Sequence, residues 1–61
     1  MLKVEIQTGN DAFGEDYIDN VVEIKRILEK VIAELDYGFI NKTPILDLNG
    51  NKVGYWELTE D

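Results

Sequence analysis

Asp47, Asn49 and Asn51 alternate in the stretch DLNGN, and such oxygen-bearing side chains could begin a calcium-binding loop. A helix-flanked calcium loop also needs glycine at position 6 and a bidentate glutamate at position 12. Counted from Asp47, those positions hold Lys52 and Leu58. The calcium interpretation therefore fails at two required positions, and a tight turn between two strands explains the same residues. We predict no metal site here.

A second group of carboxylates lies nearer the N-terminus, at Asp11, Glu15, Asp16 and Asp19. These residues could hold a divalent ion loosely, but such a run is more typical of a solvated loop that leads into a helix. Asp16 or Asp19 is the expected N-cap, because a carboxylate accepts the unpaired amide hydrogens of a first helical turn. We also predict that the four carboxylates help to bind a basic partner.

The residue types that most often carry catalysis are missing. The chain has no histidine, cysteine or serine, and its hydroxyl candidates are Thr8, Thr43 and Thr59. No general base is predictable beside any of these threonines, and no glycine-rich phosphate loop is present. The sequence therefore predicts a protein that is not an enzyme and that needs no cofactor.

Charge and size limit the possible partners. The 61 residues include 13 acidic and 6 basic side chains, for a formal net charge of −7. Free nucleic acid and anionic membranes would repel such a chain, whereas a basic protein would attract it, although excess charge also serves solubility alone. No continuous apolar run suggests a signal peptide or a membrane span, so we expect a cytoplasmic protein with one small domain.

The periodicity of apolar residues predicts the elements that position these side chains. Leu2, Val4 and Ile6 alternate with polar residues, as in a half-buried strand. A helix is predicted from Val21 to Tyr37, with Gly38 as its left-handed C′ residue and Phe39 packing back on the last turn. Its expected buried stripe has Ile27 at the edge and otherwise consists of Val21, Ile24, Leu28, Val31, Ile32 and Leu35. Its expected solvent-facing residues are Glu23, Lys25, Arg26, Glu29, Lys30 and Glu34.

The last third of the chain predicts a hairpin, with strands at 45–48 and 52–58 joined around Asn49-Gly50. Two turns are compatible with it: a two-residue Asn-Gly turn, or a longer turn that starts at Asp47 and puts Gly50 in a left-handed bulge. The expected fold is α+β, with the order β-α-β-β and a three-stranded antiparallel sheet packed on one helix.

The apolar residues of this hairpin exceed what one sheet face can bury. A bulge at Gly54 would place Val53, Trp56 and Leu58 on one side and leave Tyr55 and Ile45 on the other. A tryptophan in so small a domain is usually core, yet an apolar second face can mark a partner surface. Because a domain of this size has a marginal core, we predict a symmetric homodimer with Tyr55 or Trp56 near its interface.

The chain resembles a family of short acidic proteins encoded by phages and prophages of Gram-positive bacteria. The resemblance rests on Lys3, Glu5 and Ile6 of the first strand, on residues 10–13 (NDAF), and on the closing hairpin from Asp47 to Leu58. It implies this fold and a phage origin but no active site. Small acidic phage proteins often disable host proteins, so it also implies an alternative function: inhibition of a basic host protein by imitation of nucleic acid.

Overall fold

The computed structural model describes residues 1–38 and 42–60. Three strands, β1 (Leu2–Ile6), β2 (Thr43–Leu46) and β3 (Lys52–Leu58), form an antiparallel sheet in the order β1-β3-β2. A short 3₁₀ turn (Asp11–Phe13) and the helix α1 (Tyr17–Leu35) separate β1 from β2. The predicted α+β fold and its β-α-β-β order are confirmed.

The helix begins earlier than its apolar periodicity predicts. Asp16 is the N-cap, and its Oδ1 accepts a hydrogen bond from the backbone N–H of Asp19 at 2.9 Å, which decides between the two candidate caps. The helix ends at Leu35, whose carbonyl accepts from the N–H of Gly38 at 3.2 Å. Gly38 has φ of +69°, so its predicted left-handed conformation is confirmed, but the helix ends two residues before the predicted Tyr37, with Asp36 as its C-cap. The predicted packing of Phe39 lies outside the described residues.

The register of β3 explains which hairpin residues reach the core. Ile45 pairs with Gly54 but Leu46 pairs with Lys52, so Val53 is an extra residue on β3. An extra residue changes the parity of a strand, and Val53 and Trp56 are therefore both buried. The predicted bulge exists but falls at Val53 rather than at the glycine. The prediction that Ile45 lies on the far face is wrong, because its side chain is buried in the core.

Gly54 lies at a close approach of β3 to β1. A Cβ atom at this position would collide with the backbone carbonyl of Glu5. The close approach therefore requires a residue without a side chain.

The core forms between α1 and the inner faces of β2 and β3. Its buried apolar residues are Phe13, Ile27, Val31, Ile45, Val53 and Trp56. The predicted helix stripe is displaced: Ile27 is central rather than peripheral, while Leu28, Ile32 and Leu35 remain 39%, 64% and 36% exposed. The reason is geometric, since a single helix buries only a narrow strip against a sheet and the apolar residues of α1 extend further around its axis.

Candidate interaction surface

The hairpin turn adopts the longer of the two predicted forms. The N–H of Gly50 donates to the Asp47 carbonyl at 3.0 Å, and the N–H of Asp47 donates to the Asn51 carbonyl at 2.8 Å. Gly50 has φ of +86°, whereas Asn49 does not have a positive φ. A two-residue Asn-Gly turn needs positive φ at both residues, so the turn is the type that ends in a left-handed glycine bulge.

The Asp47 carboxylate organises this turn. Its Oδ1 accepts from the backbone N–H groups of Asn49 and Asn51, both at 2.9 Å, and its Oδ2 accepts from Asn10 Nδ2 at 2.7 Å. Asn10 in turn accepts from the N–H of Ala12 at 3.1 Å and so caps the 3₁₀ turn. The NDAF stretch and the hairpin turn are therefore joined by a direct hydrogen bond.

Burial of Asp47 would by itself raise the pKa of its carboxyl. The hydrogen bonds from Asn51, Asn10 and Asn49 outweigh this burial and hold that pKa below its ordinary value. Each carboxylate oxygen thus has a protein donor, and the side chain acts as the organising acceptor of a turn. Within the described parts of the chain, no three carboxylates come together in a way that could hold a metal ion.

Glu23 is a second buried carboxylate, and its predicted exposure is wrong. Its Oε1 accepts from Arg26 Nε at 2.7 Å, and its Oε2 accepts from Arg26 Nη2 at 3.0 Å and from the Leu48 N–H at 2.8 Å. The hydrogen bonds from Arg26 lower the pKa of Glu23, burial and the charge of Asp47 oppose the shift, and the Leu48 N–H adds to it. Glu23 is buried because it anchors the hairpin turn to the helix.

The burial of these two carboxylates is explained by the structural hydrogen bonds that they accept. Glu23 ties the turn to α1, and Asp47 ties the same turn to the connection after β1. All buried side-chain nitrogen and oxygen atoms of the described residues have hydrogen-bond partners. The cluster therefore has a structural role.

The predicted partner-binding carboxylates Asp11, Glu15, Asp16 and Asp19 are all exposed around the N-terminal end of α1. Asp16 is engaged as the helix cap, and Asp19 lies against Gly14, where an added Cβ would collide with its side chain. Among the hydrogen bonds of the described residues, Asp16 is the one of the four whose carboxylate is an acceptor, and Asp19 is held close to Gly14. Asp11 and Glu15 have neither kind of contact and are the cleaner probes of partner binding.

The two residues predicted at a self-association surface lie on opposite faces of the sheet. Trp56 is fully buried, and its Nε1 donates to Glu34 Oε1 at 3.0 Å. The folded domain covers this indole, so Trp56 itself cannot supply a contact surface, and its predicted place near an interface stays a prediction. Tyr55 is partly exposed on the open sheet face, where Lys42 Nζ and Lys3 Nζ lie 4.5 Å and 5.8 Å from its ring centroid.

An uncovered apolar surface lies elsewhere, along one side of α1. Val21, Leu28, Ile32 and Leu35, which we call the helix flank, lie within about 60° of one another around the helix axis. Val21 is half-buried and the other three are exposed. The sequence contained the signal for this surface, since an apolar stripe that is wider than one contact strip cannot be fully covered by one sheet.

The helix flank points away from β2. The opposite side of α1 carries Lys30 and Glu34, which line a small cavity with Pro44 and Leu46 of β2. On that side Arg26 Nη2 also donates to the Leu46 carbonyl at 3.4 Å. Since β2 and β1 are the two edges of the sheet, the flank lies on the β1 side of the molecule.

The helix of the described residues is not apolar enough to cross a membrane. Comparisons of the chain with protein-family models, with curated proteins and with solved structures find no match in any of the three.

Proposed function

We propose that the chain is a non-catalytic interaction protein, of phage origin and active in the cytoplasm of a bacterial host, that associates with a second copy of itself. The observation that carries the proposal is the helix flank, a row of apolar side chains of which three are exposed and one, Val21, is half-buried. Contiguous exposed apolar surface in a small protein usually marks an interaction site.

The inner face of β1 extends this uncovered surface. Leu2 and its cross-strand partner Leu58 are both about half exposed, and Val4 and Ile6 are only half-buried. The fully buried residues of the sheet come from β2 and β3, whereas β1 contributes only the half-buried Val4 and Ile6 to the core. A second copy could bury both the flank and this strand.

The total accessible surface supports association as well. The chain exposes 4631 Å². A typical monomer of its 7.0 kDa mass exposes about 4,000 Å². The surplus of about 600 Å² is comparable to the roughly 600–1,000 Å² that each partner buries in a specific interface.

Sedimentation equilibrium between about 1 and 100 μM tests the proposal, and we expect a monomer–dimer equilibrium. Because each copy carries a net charge of −7, added salt should screen the repulsion and strengthen the dimer. A single monomeric species over the whole range, at both low and high salt, would contradict the proposal.

A second function is favoured by the distribution of carboxylates. Asp11, Glu15, Asp16 and Asp19 are exposed, and no lysine or arginine occurs between residues 4 and 24. Such a surface suits an inhibitor that imitates nucleic acid on a basic host protein, as the resemblance to short acidic phage proteins also implies. Exposed charges of this kind act mainly on the association rate.

This second function is tested by affinity capture from a host lysate, followed by kinetics with the captured protein. The double variant Asp11→Asn, Glu15→Gln should slow association at low salt and leave the thermal midpoint nearly unchanged. The control Glu29→Gln, Asp36→Asn removes the same charge elsewhere on the surface and should have a smaller effect. If the two double variants slow association equally, the acidic residues act only through the net charge and solubility of the protein.

A further inference from the structure

We infer that the second copy packs antiparallel along the helix flank, with the two-fold axis passing close to Leu28. This inference rests on the proposed self-association and specifies its surface and its orientation. It also replaces the hairpin as the expected site of association, because Trp56 is buried within the core.

Three of the four flank residues are spaced symmetrically about Leu28. Val21 and Leu35 are each seven residues from Leu28, on either side. In a two-fold interface, each residue on one copy meets a residue equally far from the axis on the other. An antiparallel pair centred at Leu28 therefore places Val21 of one copy against Leu35 of the other, over a length of about 21 Å.

The flank also has the periodicity of a helix–helix seam. Val21, Leu28 and Leu35 are seven residues, or about two helical turns, apart and so lie on the same side of the helix. Ile32 lies beside them. The intervening Ile24 and Val31 are already packed against the core of their own copy. One heptad-spaced row of the helix, Ile24 and Val31, therefore packs on its own sheet. The neighbouring row, Val21, Leu28 and Leu35, is left for a partner.

Charge favours the antiparallel orientation over the parallel one. Residues 11–19 carry four acidic and no basic side chains, whereas residues 30–38 have a net charge of −1. A parallel pair would bring two acidic ends together. An antiparallel pair places each acidic end beside the less charged C-terminal end of the other helix. It also aligns the two helix dipoles in opposite directions, which is favourable.

The open sheet face is a poorer candidate for the same role. Its exposed aromatic, Tyr55, lies beneath the cationic ends of Lys3 and Lys42, and Glu5 and Glu57 occupy neighbouring positions on the same face. A second copy docked there would have to displace or desolvate these charges. The helix flank consists of four apolar residues, and Lys25 is the charged residue nearest to it around the helix axis.

The first experiment replaces the central residue and compares it with a matched control. Leu28→Glu places two carboxylates, one from each copy, beside the two-fold axis, and we expect the dimer dissociation constant to rise about 100-fold or more. Val22→Glu makes the same change at a residue that is 65% exposed and lies about 120° away around the helix. This control should change the constant less than about threefold. Circular dichroism of both variants checks that the monomer remains folded.

The second experiment uses cross-linking, which is free of background because the chain has no cysteine. In an antiparallel pair the two Leu35 positions are about 21 Å apart, whereas Val21 and Leu35 of different copies are adjacent. With a short bismaleimide, a mixture of Val21→Cys and Leu35→Cys chains should give a mixed dimer. Leu35→Cys alone should give little product, and Leu28→Cys alone should cross-link efficiently.

The outcomes separate the inference from the proposed function on which it rests. A dimer that Leu28→Glu leaves intact but Tyr55→Glu dissociates would overturn the inference and retain self-association on the open sheet face. Efficient cross-linking of Leu35→Cys chains to one another would overturn the antiparallel orientation. A chain that stays monomeric at all concentrations would remove both the proposed self-association and this interface.

Discussion

Replacement of Glu23 by glutamine tests whether the buried carboxylate anchors the hairpin to the helix. The carboxylate accepts three hydrogen bonds, two from Arg26 and one from the Leu48 N–H, at 2.7–3.0 Å. Glutamine keeps the shape but has one acceptor oxygen and one NH₂ group. In either orientation of the glutamine amide, its NH₂ group replaces one carboxylate oxygen. That NH₂ group then faces an N–H donor that bonded to the oxygen of Glu23.

The expected cost follows from these contacts. A hydrogen bond to a charged group contributes about 1.5–3 kcal/mol to stability. The Arg26 side chain is 38% exposed and can turn to water, which reduces the loss on its side to under about 1 kcal/mol. We therefore expect Glu23→Gln to lower the free energy of unfolding by about 1–2 kcal/mol. For a domain of this size that corresponds to a fall of roughly 4–16 °C in the thermal midpoint.

Thermal unfolding followed by circular dichroism measures this change at a fixed, low protein concentration, so that self-association does not contribute. Glu29→Gln is the matched control, because it makes the same substitution at an exposed position of the same helix and should change stability by less than about 0.5 kcal/mol. Midpoints that fall equally for the two variants would refute the anchoring role of Glu23.

Three further predictions follow from the core and the turn. Gly54→Ala should destabilise the domain by about 1–3 kcal/mol in urea unfolding, because the new methyl group meets the backbone of β1, whereas Gly9→Ala, which has open space around it, should have little effect. Trp56→Phe should cost about 1–3 kcal/mol by the same assay, since it leaves a cavity and removes the indole N–H bond to the helix. The folded-state pKa values of Glu23 and Asp47 are both lowered, so their contribution is present above the unfolded pKa values near 4 and should be lost as the pH falls below them, which acid titration of the circular dichroism signal would show.

The elements of the fold could be predicted from local signals. The alternation of Leu2, Val4 and Ile6 with polar residues predicted β1, and the three- and four-residue spacing of apolar residues predicted the helix. Gly38 indicated the region of its C-terminal end. These patterns depend only on residues close together in the sequence.

Which side chains of the helix and strands face the core could not be predicted with the same success, because burial depends on contacts between residues that are distant in the sequence. Glu23 is buried by a hydrogen bond to Leu48, 25 residues away, and no local pattern reports that bond. Ile45 reaches the core because it pairs with Gly54, which has the same parity on β3 as the buried Trp56. The helix flank was misassigned to the core for a related reason, since the sequence shows which residues are apolar but not how much sheet is available to cover them.

The strand order has a consequence for how the chain folds during synthesis. β3 is the central strand and also the last of the three to be made, so neither β1 nor β2 can pair until it leaves the ribosome. Until then, α1 can form as a local element, but its apolar side has no sheet to pack against. Pairing of β1 with β3 closes a loop of about 50 residues, which is the slow kind of contact in folding kinetics. We therefore expect the sheet to form in a single late step, after translation of β3, with no stable two-stranded intermediate before it.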